Sequence, residues 1–410
     1  MPRRPPLTNS GARAAAPATR VVHPPTPAPQ PGMPLSPPLV PASTYAFEDS
    51  ESFARASHVK VGEGYVYARW ANPTVDAFEA AVADLEGTED AEAFASGMAA
   101  IAAVFLGLCA SGDRVVAAGG LYGNTQSLLT QRLPRYGIDA DLLPLDAYDD
   151  ISDALRGARL LYCETIANPS VRVADLDRIG ELAVARGVPL VVDNTFASPL
   201  LCRPGEHGAS VVVHSATKFL GGHHDLLGGI VCSSGDVIHS MQLLGRDLGA
   251  SMSPFTAWLA LRGLSTLDVR VERSCANALA LACALRERGD VERVFYPALD
   301  DDPHHGLAER ILGGRGGGTL AFEVAGGRER AARFQDALRV VTPAASLGGT
   351  HSLLVHPASV THTQLSSEEL ASAGISEGFC RLSVGLEDAG DLAADIAAAL
   401  DATGPRERGG

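Results

Sequence analysis

Val211-Val-Val-His214-Ser215-Ala-Thr217-Lys218-Phe-Leu-Gly221-Gly222 is the stretch from which the fold is read. Successive valines mark a strand buried on both faces, as in a mainly parallel sheet covered by helices. The strand runs into Ser215, Thr217 and Lys218, and two glycines follow. In open α/β sheets ligands bind beyond the carboxyl ends of the strands. A lysine there sits where burial lowers the pKa of its amine and lets it form a Schiff base. The two hydroxyls beside it can hold a phosphate. The alternative is a surface lysine in a loop, and composition weighs against it. Of the 33 basic residues only Lys60 and Lys218 are lysines. Arginine stays protonated and cannot act as an amine nucleophile, so a merely solvated cation in this chain would have been arginine. Lys60, ahead of Gly62 and Gly64, has no comparable setting.

Further apolar runs repeat the pattern outward from this segment. Strands are expected at Arg114–Ala117, Leu160–Cys163, Leu190–Asp193 and Gly229–Cys232. Helices are expected at Val75–Leu85, Met98–Cys109, Asp175–Ala185 and after Ser274. The alternation predicts an α/β fold. Beyond Pro297 the texture changes to glycine-rich turns, a strand near Thr319–Val324 and a last helix at Asp391–Leu400, which reads as a smaller α+β domain. Asp193 ends its strand and should reach the same sheet edge as Lys218. A carboxylate there can pair with the protonated nitrogen of a pyridine-type cofactor, although on its own it reads better as a helix cap or turn residue. Ser96-Gly97-Met98 opens an alanine-rich helix whose N–H groups could face a phosphate, or it is an ordinary cap. Tyr122, in a glycine-bearing turn, could stack on a planar ring or simply anchor the turn.

The 410 residues carry 48 acidic and 33 basic side chains, a net charge of −15. That balance argues against nucleic acid as a partner. With 46% hydrophobic residues the chain can bury a large core. Seven scattered cysteines without a Cys-x-x-Cys pair form neither a zinc spacing nor a disulfide framework. They read as reduced, mostly buried thiols of a cytoplasmic protein. No run approaches the roughly 18 apolar residues of a membrane span, and no compact apolar secretory signal opens the chain. Residues 1–41 hold 13 of the 26 prolines and no acid. They are expected to be extended or disordered, with the last part laid on a neighbouring subunit.

Together these pieces resemble the pyridoxal-phosphate enzymes of cysteine and methionine metabolism. That family includes methionine γ-lyase, cystathionine γ-lyase, cystathionine γ-synthase and the O-acylhomoserine sulfhydrylases. The resemblance runs from about Pro41 to about Ala402. It is carried as well by Tyr67-Ala-Arg69-Trp-Ala-Asn72-Pro-Thr74, Glu164-Thr-Ile-Ala-Asn168-Pro169, Ser346-Leu-Gly-Gly, His356-Pro-Ala-Ser-Val-Thr-His362 and Arg381-Leu-Ser-Val-Gly-Leu-Glu-Asp388. It implies fold type I, aspartate aminotransferase-like: a large domain with a mainly parallel seven-stranded sheet plus a smaller α+β C-terminal domain. The divisions it implies are a tail and arm at 1–58, a cofactor domain at 59–262 and a small domain at 263–410.

The resemblance also assigns roles. Lys218 would form the Schiff base with pyridoxal phosphate and move protons at Cα and Cβ. Asp193 would pair with the ring nitrogen, and Tyr122 would stack on the ring and serve as acid to the leaving group. Ser96, Gly97, Met98, Ser215 and Thr217 would hold the phosphate from one subunit. Tyr67 and Arg69 would reach it from a neighbour, in a tetramer built as a dimer of dimers. Arg381 would clamp the substrate α-carboxylate, with Ser346 and Asn168 beside it. No metal is implied.

The implied reaction is γ-elimination on a sulfur amino acid, L-methionine or a homologue, to 2-oxobutanoate, ammonia and a thiol. Its alternatives are γ-replacement on an O-acylated homoserine and cystathionine γ-lyase activity. A third, non-catalytic reading is opposed by the intact Lys218, Asp193, Tyr122 and Arg381 set. Two departures bear on the choice. Asn124 stands where methionine γ-lyases carry their marker cysteine, and His351 stands where cystathionine γ-lyases carry a glutamate. His351 reads either as a substrate contact for an uncharged or acidic γ-group or as a solvent-facing loop residue. Thr361-His-Thr-Gln-Leu-Ser leans toward the sulfhydrylases. His223-His224-Asp225 reads as the turn after the lysine motif, Gly313–Gly318 as a loop entering a strand, and His304-His305 as solvated.

Overall fold

The computed structural model describes residues 15–25, 34–58, 64–360 and 375–404. Lys60 and the Thr361–Ser366 stretch lie outside the described residues. Seven strands form the large sheet: β1 (Asp90–Phe94), β2 (Arg114–Ala118), β3 (Asp139–Leu143), β4 (Leu160–Glu164), β5 (Leu190–Asp193), β6 (Val211–His214) and β7 (Gly229–Ser233). Their order is β1-β7-β6-β5-β4-β2-β3. The pairs from β3 through β2, β4 and β5 to β6 are parallel, and β7 runs antiparallel to both β6 and β1.

Every residue of β4, β5 and β6 is buried. Helices on both faces leave these strands no wet side, which is why they read as unbroken apolar runs. Val192, Val212 and Cys163 pack with Phe78 and Val82 of the helix Pro73–Glu86. On the other face Val191, Val213 and Tyr162 pack with Ile101 and Phe105 of the helix Gly97–Leu108. Each such apolar side chain contributes about 1.5–3 kcal/mol when fully buried.

A second sheet, β8 (Val291–Phe295), β9 (Thr319–Val324), β10 (Thr342–Pro343), β11 (Leu353–Val355) and β12 (Phe379–Ser383), has the order β10-β11-β12-β9-β8. Its own core joins Leu281 and Leu285 of the helix Leu267–Arg286 to Leu392 and Ile396 of the helix Ala389–Ala402. The expected Gly313–Gly318 loop leads into β9.

Two expectations are corrected. Within residues 1–41, Pro17–Val22 is helical, with proline at a position where its missing N–H costs nothing. Arg20 is nearly buried and holds Asp84 at 2.9 Å. Farther on, Pro38 O accepts from Thr74 Oγ1 at 3.0 Å, and Pro37 O from Trp258 Nε1 at 3.2 Å. Unpaired proline-segment carbonyls are thus taken up by donors of the same chain. His304 and His305 are half-buried rather than solvated, and His304 receives Arg172 Nε at 3.3 Å. Among the described residues, no helix is long and apolar enough to cross a membrane, and no three His, Cys, Asp or Glu side chains cluster as a metal site.

Candidate active site

Strands β4, β5 and β6 end side by side, with Glu164 opposite Asp193 and Asp193 opposite Val213. Beyond β6 the chain makes a tight turn that carries Lys218. Gly222 closes this turn at φ +73, where a Cβ would lie 2.0 Å from Arg270 Nη1. Arg270 in turn donates to Phe219 O at 2.8 Å and Gly263 O at 2.7 Å, pinning the segment against its neighbours.

Lys218 Nζ donates to Ser346 Oγ at 2.8 Å. Ser346 sits at φ +136, a region that glycine favours, at a cost of about 1–3 kcal/mol. That conformation turns its hydroxyl to Lys218 and its carbonyl to Arg381 Nη2, 3.1 Å away. Arg381, on β12, also donates through Nη1 to Asn168 Oδ1 at 2.7 Å. Its Nε is buried without a partner among the described residues. Burial, with Arg381 nearby, pulls the Lys218 pKa from 10.5 down to about 8. Burial likewise lowers Arg381 to about 10.

Asp193 is 8% exposed. Its carboxylate accepts from Thr195 N at 3.0 Å and from Tyr162 OH at 3.4 Å. Burial raises its pKa, and Thr195, His214 and Tyr162 oppose the rise. Glu164 beside it is pushed well above the usual carboxylate range by burial and by Asp193. It accepts the Tyr122 N–H at 2.5 Å. Tyr122 is exposed, and its hydroxyl accepts from Asn124 Nδ2 at 3.2 Å.

At the same sheet edge, just beyond β1, Ser96 Oγ caps the helix Gly97–Leu108 through Ala99 N at 3.1 Å. A Cβ on Gly97 would lie 2.7 Å from Ser215 Cβ, so only glycine lets the helix start approach this serine. Met98 Sδ lies 4.0 Å from Thr125 Oγ1. The Thr217 hydroxyl is engaged within the chain: it donates to Gly228 O at 3.2 Å and accepts from Gly228 N at 3.0 Å.

The geometry therefore brings Lys218, Ser346, Arg381 and Asn168 into one bonded set, and sets Glu164 between its strand neighbour Asp193 and its hydrogen-bond partner Tyr122. Tyr67 and Arg69 stand apart. Arg69 is exposed, donates to Arg246 O and lies 5.6 Å from its own Tyr67 ring. Both line an open cavity of about 720 Å³ with Phe47, Phe53 and Trp70.

Two further residues received no role from the sequence. Glu164 ends an apolar strand just as Asp193 does, and that same signal could have found it. His224, assigned only to a turn, has its ring 6.0 Å from that of His351. It adopts φ +60, and the Gly349 backbone is packed against its imidazole. His351 is exposed and shares a hydrogen bond with Thr350 Oγ1 at 3.0 Å.

The family model for Cys/Met metabolism PLP-dependent enzymes matches residues 18–401. An O-succinylhomoserine sulfhydrylase of Pseudomonas aeruginosa is 41% identical, over 89% of this chain and 90% of its own. An L-methionine gamma-lyase of Pseudomonas putida is 40% identical over 94% and 97%. Among solved structures, a Campylobacter jejuni metY protein, named as an O-acetylhomoserine (thiol)-lyase, superposes with a TM-score of 0.88 at 32% identity. It covers 94% of this chain and 99% of its own, and it carries pyridoxyl-lysine monophosphate. Near-complete coverage by sequence and by fold leaves one assignment: this chain belongs to the family of Cys/Met metabolism PLP-dependent enzymes.

Proposed function

We propose that the protein catalyses γ-elimination on a sulfur amino acid, L-methionine or a homologue, consuming water and releasing 2-oxobutanoate, ammonia and a thiol. The observation that carries this reading is the meeting of Lys218 and Arg381 on Ser346. An amine that gives up its proton near neutral pH stands beside a guanidinium that can grip an α-carboxylate.

The residues present suit pyridoxal phosphate. Asp193 is a buried carboxylate with no cationic partner within ion-pair distance among the described residues. A protonated ring nitrogen would supply one. The close approach of Gly97 to Ser215 leaves backbone N–H groups at a helix start open to a phosphate. Ser96, Gly97, Met98 and Ser215 would hold that phosphate. Thr217, with its one donor engaged by Gly228, would contribute by shaping the turn. When bound, the cofactor supplies a sink for the electron pair left at Cα.

This chain's residues would do the rest. Arg381, steadied by Asn168 and the Ser346 carbonyl, would fix the α-carboxylate in a charge-assisted fork. Lys218 Nζ would take the proton from Cα and shuttle protons at Cβ. The Tyr122 ring, set by the Glu164 bond to its backbone, would cover the cofactor, and its hydroxyl would protonate the departing sulfur. Position 351 offers imidazole where a distal ammonium would need a carboxylate. Burial, with His351 and Lys218 nearby, lowers the His224 pKa. Such a loop suits an uncharged γ-group.

A second reading, γ-replacement on an O-acylated homoserine, is favoured by His224 and His351. The imidazole of His224, near Lys218, and that of its neighbour His351 could donate to an acyl ester. Incubation with L-methionine alone, then with O-acetylhomoserine plus sulfide, separates the two. Oxo acid from methionine alone is the expected result. Its absence, together with rapid homocysteine formation, would overturn the elimination reading.

Tyr67 and Arg69 are proposed to serve the phosphate of an adjacent subunit, making each site a two-chain construction in a homotetramer. Their exposure away from Lys218 supports this. Arg69→Ala is expected to weaken cofactor retention about tenfold, the worth of one charge-assisted hydrogen bond, with the circular dichroism spectrum unchanged. Retention equal to wild type after dialysis would sink the shared-site reading.

A further inference from the structure

Behind Asp193, on the opposite face of the large sheet, lies a buried polar chain with no part in the roles above. Glu86 ends the helix Pro73–Glu86, and its side chain is fully enclosed, as is that of His214 to within 1%. Glu86 Oε1 meets His214 Nε2 at 2.6 Å and accepts from Asn194 Nδ2 at 2.9 Å. The Asn194 orientation is fixed from three sides. Its amide also donates to Cys202 O at 2.8 Å, and its Oδ1 accepts from Thr165 Oγ1 at 2.8 Å. Glu86 Oε1 is therefore an acceptor toward Asn194, and a proton on Nε2 of His214 would give the same oxygen a second donor.

The remaining oxygen of Glu86, Oε2, is buried without a partner among the described residues. A carboxylate enclosed in this way is costly unless a cation offsets it. The other titratable groups facing Glu86 are the Cys202 and Cys232 thiols, which burial and Glu86 itself hold neutral. Among the described residues facing Glu86, only His214 can supply the positive charge. It is the residue after Val213, whose strand partner is Asp193, and a positive charge on it would act on Asp193 against protonation. Asn194, the residue after Asp193, is clamped by the same carboxylate.

We propose that Glu86 and His214 form a buried ion pair on the reverse face of the sheet that keeps Asp193 ionised and aligned for the cofactor ring. The inference rests on the reading that Asp193 pairs with the ring nitrogen. Glu86 and His214 act through Asp193 and are positioning residues.

Glu86→Gln keeps the shape and the Oε1 acceptor but removes the charge. His214→Gln keeps an N–H toward Glu86 without the imidazolium. In each variant the cofactor-free protein is expected to bind pyridoxal phosphate about tenfold more weakly, the effect of one pKa unit at Asp193. The pH midpoint of the lysine-bound cofactor absorbance should move upward, because a ring nitrogen less firmly protonated leaves the C=N nitrogen more basic. A purely structural role would lower the melting temperature without moving that midpoint. Asp193→Asn is the control. If it disturbs binding and midpoint while both other variants match wild type, the ion-pair inference is overturned and the Asp193 reading stands. If Asp193→Asn itself changes neither, the Asp193 reading fails first.

Discussion

Replacing Lys218 by arginine is expected to abolish the visible absorbance of the lysine-bound cofactor and to cut turnover about 10³-fold or more. The physical reason is the proton. Guanidinium keeps its charge at any working pH, so it can neither form the C=N bond nor accept the Cα proton. Lys218 would do both, since burial, with Arg381 nearby, brings its pKa from 10.5 to about 8. Lys60→Arg should leave absorbance and rate intact, and absorbance surviving in Lys218→Arg would refute the assignment. The same shift fixes a pH dependence. Between about 8 and 10.5 the folded cofactor-free chain holds a neutral amine while the unfolded chain holds an ammonium. The unfolded state binds more protons there, so stability of the cofactor-free chain rises with pH through this window. Cofactor capture, followed by the growth of visible absorbance, should rise through about pH 8 and then level off.

Arg381→Leu is expected to lower kcat/KM about 10²–10³-fold, mostly through KM, as removal of one partner from a desolvated charge pair does. The side chain is preorganised before substrate arrives: Asn168 and the Ser346 carbonyl hold its two terminal nitrogens. Arg381→Lys should recover little of the loss, since an ammonium cannot span both anchors and a carboxylate. Steady-state kinetics with L-methionine, set beside its decarboxylated amine, tests the claim. The amine, lacking a carboxylate, should be turned over equally poorly by wild type and Arg381→Leu. An unchanged KM for methionine would mean that the carboxylate is bound elsewhere.

Some of this molecule was written locally. Strands β5 and β6 were legible to the residue, because a strand covered on both faces admits almost nothing but apolar side chains. β1 (Asp-Ala-Glu-Ala-Phe) and β3 (Asp-Ala-Asp-Leu-Leu) carry acidic residues in their runs. Their composition does not mark them as strands, because position in the sheet makes them so. The scarcity of lysine isolated Lys218, because a group that must lose its proton cannot be arginine. The placement of Lys218 and Asp193 at one sheet edge followed from strand ends alone.

Tertiary structure decided what sits around them. Arg381 meets Asn168 across 213 residues and Ser346 across 35, and by pattern alone it is one arginine among many. The bond from the Tyr122 backbone to Glu164, the approach of His351 to His224, and the enclosure of Glu86 with His214 come from segments far apart in the chain. The separation of Tyr67 and Arg69 from Lys218 within one chain is likewise a fact of packing. By itself the sequence determined which groups can do the chemistry, because proton affinity and apolar periodicity are local properties. Which of them meet was decided only by the fold, because contact depends on how the two sheets and their covering helices close on one another.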